Sequence, residues 1–69
     1  MRAEDIKQAW KTNPDKVASA FGKSLRSFGY GSVTDGYIKE QVTKILAGDK
    51  PVGVIAMFID GWLKEGINW

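Results

Sequence analysis

Residues 13–29, Asn13-Pro14-Asp15-Lys16-Val17-Ala18-Ser19-Ala20-Phe21-Gly22-Lys23-Ser24-Leu25-Arg26-Ser27-Phe28-Gly29, carry the reading on which the fold turns. Asn13 is a preferred N-cap, because its side-chain oxygen can accept a free amide of the first turn. Pro14 then falls where a missing N–H costs nothing. Asp15 adds a negative charge at the positive end of the helix dipole. Val17, Ala18, Phe21, Leu25 and Phe28 follow at helical spacing, and Gly29 is a natural stop. The spacing predicts a helix over 14–28 with one apolar stripe.

Working outward, Ala3, Ile6 and Ala9-Trp10 place a second stripe on a helix over 3–12, with Glu4, Lys7, Gln8 and Lys11 on its other side. Beyond Gly29, the connector Phe28-Gly29-Tyr30-Gly31-Ser32 leads to Ser32 or Thr34 as a cap. Val33, Tyr37-Ile38, Val42 and Ile45-Leu46 then predict a helix over 33–47, stopped by Gly48, with Gly36 weakening its first turn. Asp49-Lys50-Pro51 restarts the chain for a fourth helix over 51–65, carrying Val52, Ile55, Phe58-Ile59 and Trp62-Leu63, with Ile67 just beyond its end continuing the same apolar face. Val52-Gly53-Val54-Ile55 is β-branched enough to begin a strand. The helical spacing continues through Trp62-Leu63, and no second segment offers a strand to pair with it.

The fold class that follows is all-α, a compact orthogonal bundle of four short helices forming one domain over 1–69. The predicted core is Ile6, Trp10, Val17, Phe21, Leu25, Phe28, Ile38, Val42, Ile45, Ile55, Ile59, Trp62 and Leu63. With 69 residues, a domain buries only about 60% of its unfolded surface, so nearly every large apolar residue is needed for folding.

Composition excludes several chemistries. The chain has no histidine and no cysteine, which removes the usual general base near neutral pH, the thiolate nucleophile and the two commonest transition-metal ligands. Among the acids toward the C-terminus, Asp60 and Glu65 lie at a spacing that puts them on different sides of a helix. Gly29-Tyr30-Gly31 lacks the preceding strand of a dinucleotide fingerprint and the lysine of a P-loop, and reads as a helix stop followed by a turn. No catalytic residue, metal site or cofactor is expected, and the chain is read as a non-enzyme. Without cysteine, disulfide staples are impossible and a reducing, cytoplasmic setting is expected. Met1-Arg2-Ala3-Glu4-Asp5-Ile6-Lys7 does not resemble a secretory leader. The longest apolar run, Val54 to Ile59, is far short of the roughly 20 residues that span a bilayer, so no membrane partner is expected.

Two surfaces remain. Within residues 7–26, Lys7, Lys11, Lys16, Lys23 and Arg26 face Asp15 as the sole acid, whereas residues 33–69 hold four lysines against five acids. Lys16, Ser19, Lys23 and Arg26 recur along the side of the second helix opposite its apolar stripe, where phosphates could lie. The simpler account is the solvated side of an amphipathic helix, since two arginines in the whole chain are few for a phosphate binder. A helix-turn-helix drawn across Gly29–Ser32 would present Asp35 and Glu40 near the phosphate backbone, which repels it. The second surface is the C-terminal helix. Val52, Val54, Ile55, Met57, Phe58, Ile59, Trp62, Leu63, Ile67 and Trp69 occupy nearly every side of it, so it either runs through the middle of the bundle or keeps part of its surface for a partner. Val54, Met57 and Trp69 fall off the main stripe.

The function read from these features is a small non-catalytic protein-interaction module, in one form a homodimer, making contact through Val54, Met57, Phe58 and Trp62. The alternative is a weak nucleic-acid-binding helical domain that uses Lys11, Lys16, Lys23 and Arg26 on phosphates. A structural subunit of a larger assembly is not separable from the first reading by sequence.

Overall fold

Four α-helices follow one another in the computed structural model of the chain, which describes residues 1–68: α1 (Ala3–Thr12), α2 (Pro14–Ser27), α3 (Asp35–Leu46) and α4 (Val54–Glu65). No strand is present among the described residues, and Val52-Gly53 is a connector from which Val54 and Ile55 enter α4. The expected all-α bundle of four short helices is the fold. Each helix packs on the next, and α4 closes back on α1. None runs through the middle.

The caps explain where the helices stop and start. The Asn13 side chain accepts the Lys16 amide at 3.4 Å, and Pro14 opens α2. At its far end α2 stops at Ser27, one residue before the sequence reading. The Gly29 amide donates to Arg26 O at 3.1 Å and the Tyr30 amide to Leu25 O at 3.1 Å, with Gly29 at φ +101°. This is a Schellman closure, which needs a residue at positive φ and turns the one after it back onto the helix. Helix α3 ends identically, with Gly48 bonded to Ile45 O and Asp49 to Lys44 O.

The start of α3 lies two residues later than predicted, because Thr34 supplies the cap by accepting the Tyr37 amide at 3.2 Å. Val33 stays on the connector and is buried there. Helix α4 starts three residues later than predicted. Asp49, a cap by residue type, donates its amide to Lys44 O in the closure of α3, and Gly53 takes the N-cap position of α4 without a side-chain bond.

The core is Ile6 from α1, Val17, Ala18, Phe21 and Leu25 from α2, Ile38 and Val42 from α3, Ala56, Ile59 and Leu63 from α4, with Val33 and Ile67 completing it. Trp10, Ile45, Ile55 and Trp62 pack against it half-buried. Phe28, predicted for the core, is instead 63% exposed. The closure of α2 accounts for this: Tyr30 is the residue turned back to pack on the core, and Phe28, at the C-cap, is left outside. Ion pairs from Arg26 to Asp35 and from Lys39 to Asp15 tie α2 to α3.

The two ends of the described chain meet. The Met1 nitrogen donates to Ile67 O, and the Ile67 amide donates to Met1 O at 2.9 Å. Gly66 makes this approach feasible, since a Cβ there would sit 2.6 Å from Met1 O, on a backbone at φ +91°. Gly66→Ala is therefore expected to destabilise the domain by about 1–3 kcal/mol, lowering Tm by at least about 4 °C. Gly31→Ala, where a Cβ meets nothing within 4 Å, serves as the control in the same thermal melts and is expected to leave Tm within a degree or two of the parent.

Candidate interaction surface

The outer side of α4 sets up the site. A helix turns once every 3.6 residues, so the inward set Ala56, Ile59 and Leu63 defines an opposite side made of Val54, Met57 and Gly61, with Lys64 and Glu65 only at its end. An ordinary amphipathic helix puts polar residues there. Val54 and Met57 are 54% and 63% exposed. Between Lys50 and Asp60 the chain carries no charged residue, so the first half of this side is purely apolar.

Aromatic rings extend the strip sideways. Phe58, half-buried, stacks on the exposed ring of Phe28 with centroids 5.5 Å apart and planes 13° from parallel. Tyr30 meets Phe58 edge-on at 6.0 Å. Trp62 lies 5.7 Å from Phe58 and 5.1 Å from Phe21, joining the surface rings to the centre of the core. A shallow depression of about 290 Å³ beside Phe28 and Trp62 is edged by Ser24, Ser27, Ile67 and Asn68. At Gly61 a Cβ would meet no atom within 4 Å, so the middle of the strip is a notch open to solvent.

The structure thus brings Val54, Met57, Phe58 and Trp62 together on one helix, Val54 and Met57 facing out and Phe58 and Trp62 on the flank toward α2. The expectation that Val54 and Met57 lie off the buried stripe matches their exposure. Trp69, named with them, lies outside the described residues. Phe28 is the exposed ring beside them that the sequence reading had placed in the core. The signal for it was Gly29: a glycine one residue past a helix end predicts a turned-back residue at position 30 and an outward one at position 28.

The basic residues are arranged differently. Lys16 and Lys23 share the edge of an open cleft of about 530 Å³ between α1 and α2, with Ser19 beside them and Ala9, Val17 and Ala20 as its apolar floor. Lys11 lies apart, on a depression with Glu4, Asp5, Lys7 and Trp10. Arg26 points toward α3, where its guanidinium holds Asp35 at 3.1 Å and the Val33 carbonyl at 3.4 Å. Gly22 leaves room for this pair: a Cβ there would sit 3.1 Å from both Arg26 Nη2 and Asp35 Oδ1. The four cations therefore do not line up as one stripe. Lys11, Lys16 and Lys23 are exposed and have no ion partner among the described residues.

Asp60, the acid nearest to Glu65 in sequence, is paired with Lys64 at 3.2 Å. Among the described residues, no group of three or more acidic side chains is placed to hold a metal ion, and no helix is long and apolar enough to cross a membrane. Compared with protein families, with curated proteins and with solved structures, the chain matches none.

The outer residues of α4 should contribute little to folding. Met57→Lys is expected to change stability by less than about 0.5 kcal/mol, whereas Phe21→Ala should cost about 3–5 kcal/mol and unfold most of the molecules at ambient temperature. Urea denaturation of the two variants separates these outcomes.

Proposed function

We propose that this chain is a small non-catalytic protein-interaction module that docks through the outer side of α4 and the ring of Phe28. The observation that carries this reading is the run of exposed apolar side chains, Val54, Met57 and Phe28, joined through half-buried Phe58. A domain this small has few apolar residues to spare from its core, and large apolar groups gathered on one surface mark interaction sites. Methionine and aromatic residues are also the types enriched in protein interfaces. The absence of cysteine fits a cytoplasmic setting.

Nucleic-acid binding is the second reading, favoured by the exposure of Lys16 and Lys23 on one cleft edge. It draws on fewer cations than the sequence suggests, because Arg26 is engaged by Asp35.

A photo-crosslinking amino acid placed at position 57, at position 16, or at position 44 on α3 tests the two readings in living cells. The expected result is protein adducts from position 57 and none from position 44. Adducts to nucleic acid from position 16, with none to protein from position 57, would overturn the first reading in favour of the second.

A further inference from the structure

We propose that the occupant of the α4 surface is a second copy of this chain, its own α4 lying antiparallel across the first. This rests on the interaction reading above and adds the identity of the partner. The distribution of charge along α4 favours it. The first turn of α4 contains no acid, and its N-cap, Gly53, offers no side-chain bond to the free amides there. Neither a first-turn acid nor a cap bond thus offsets the positive end of the helix dipole.

At the opposite end, the last turn holds Lys64, whose ammonium is taken by Asp60 at 3.2 Å, and Glu65, which is exposed, has no ion partner among the described residues, and faces the negative end of the dipole. Both conditions are unfavourable in one copy. An antiparallel pair relieves both at once, because the Glu65 carboxylate of each copy reaches the bare first turn of the other. A parallel pair would bring like ends together. Symmetry then satisfies the two ends twice, as a two-fold interface requires.

The same register sets apolar residues against one another. With Val54 opposite Glu65 of the second copy, Phe58 lies opposite Gly61, and the notch at Gly61 admits the partner's ring edge. Met57 lies opposite Trp62. Phe28, stacked on Phe58, widens the strip beyond a single helix. A standard interface takes about 800 Å² from each partner, under a fifth of the 4462 Å² surface of this chain. One helix side and one ring fall toward the low end of that class, so the dimer is expected to be weak, with Kd above about 1 µM.

Sedimentation equilibrium of the purified chain up to about 1 mM is the test. The expected result is a reversible monomer–dimer equilibrium. Met57→Lys should weaken it at least about 30-fold, and Glu65→Gln, acting at both ends, about fivefold at low salt. A photo-crosslinker at Val54 should label the second copy between Gly61 and Glu65. Circular dichroism melts accompany each variant, so that loss of fold is not read as loss of pairing. A dimer indifferent to Met57→Lys, or one whose Val54 crosslinks fall on the second copy's own Val54 end, overturns the proposal. A chain that stays monomeric while position 57 crosslinks another protein in cells overturns the second copy but leaves the interaction reading standing. A monomer with no adduct from position 57 overturns both.

Discussion

The Tyr30 amide donates to the Leu25 carbonyl at 3.1 Å, and the layout on both sides of α2 depends on that bond. It closes the helix after Ser27, reverses the chain toward α3 and brings the Tyr30 ring onto the core. It needs Gly29, because the backbone there runs at φ +101°, a region that costs other residues about 1–2 kcal/mol. The reversal has a second effect. By choosing Tyr30 for the interior it leaves Phe28 outside, and Phe28 then has Phe58 of α4 as its neighbour. A helix-stop geometry thereby creates the edge of a surface.

Short helices need such closures because their own propensity is marginal. Helix α4 is 12 residues long, lacks a side-chain cap, and depends on its tertiary contacts more than α2 does. Those contacts are Ala56, Ile59 and Leu63 against the core and Trp62 against Phe21. The inward residues already account for the anchoring of α4 in the fold. Val54 and Met57, both more than half exposed, add little to that anchoring, and this separation between folding residues and surface residues on one helix gives the interaction reading its physical content.

How much was legible in the sequence depends on the range of the interaction concerned. Local chemistry was readable: Asn13 and Pro14 open α2, Gly29 and Gly48 close α2 and α3, and the buried stripe of α2 from Val17 to Leu25 follows from spacing alone. What periodicity could not decide was competition between neighbouring residues for one role. Phe28 and Tyr30 compete for the interior at the end of α2, and the hydrogen-bonded closure decides between them. Asp49 is a good cap by residue type, but the chain there is still closing α3, and α4 begins later at Gly53–Val54. The direction of the Arg26 side chain was undecided for a similar reason. Arg26 shares a helix side with Lys23 in sequence, yet Asp35 sits across the turn and draws it toward α3.

That diversion of Arg26 bears on what kind of surface the molecule has left to offer. The ion pairs of Arg26 with Asp35 and of Lys39 with Asp15 both join α2 to α3. Exposed pairs of this kind contribute little stability each. They do lower the density of uncompensated charge on α2, and phosphate binding scales with the number of free cations that reach the backbone. On α4 no comparable compensation operates. Val54 and Met57 stay more than half exposed, and the first turn of α4 carries no acid. Internal pairing has therefore used part of the basic surface of α2, while Val54, Met57 and Phe28 remain mostly exposed beside α4, and this difference is what the interaction reading rests on.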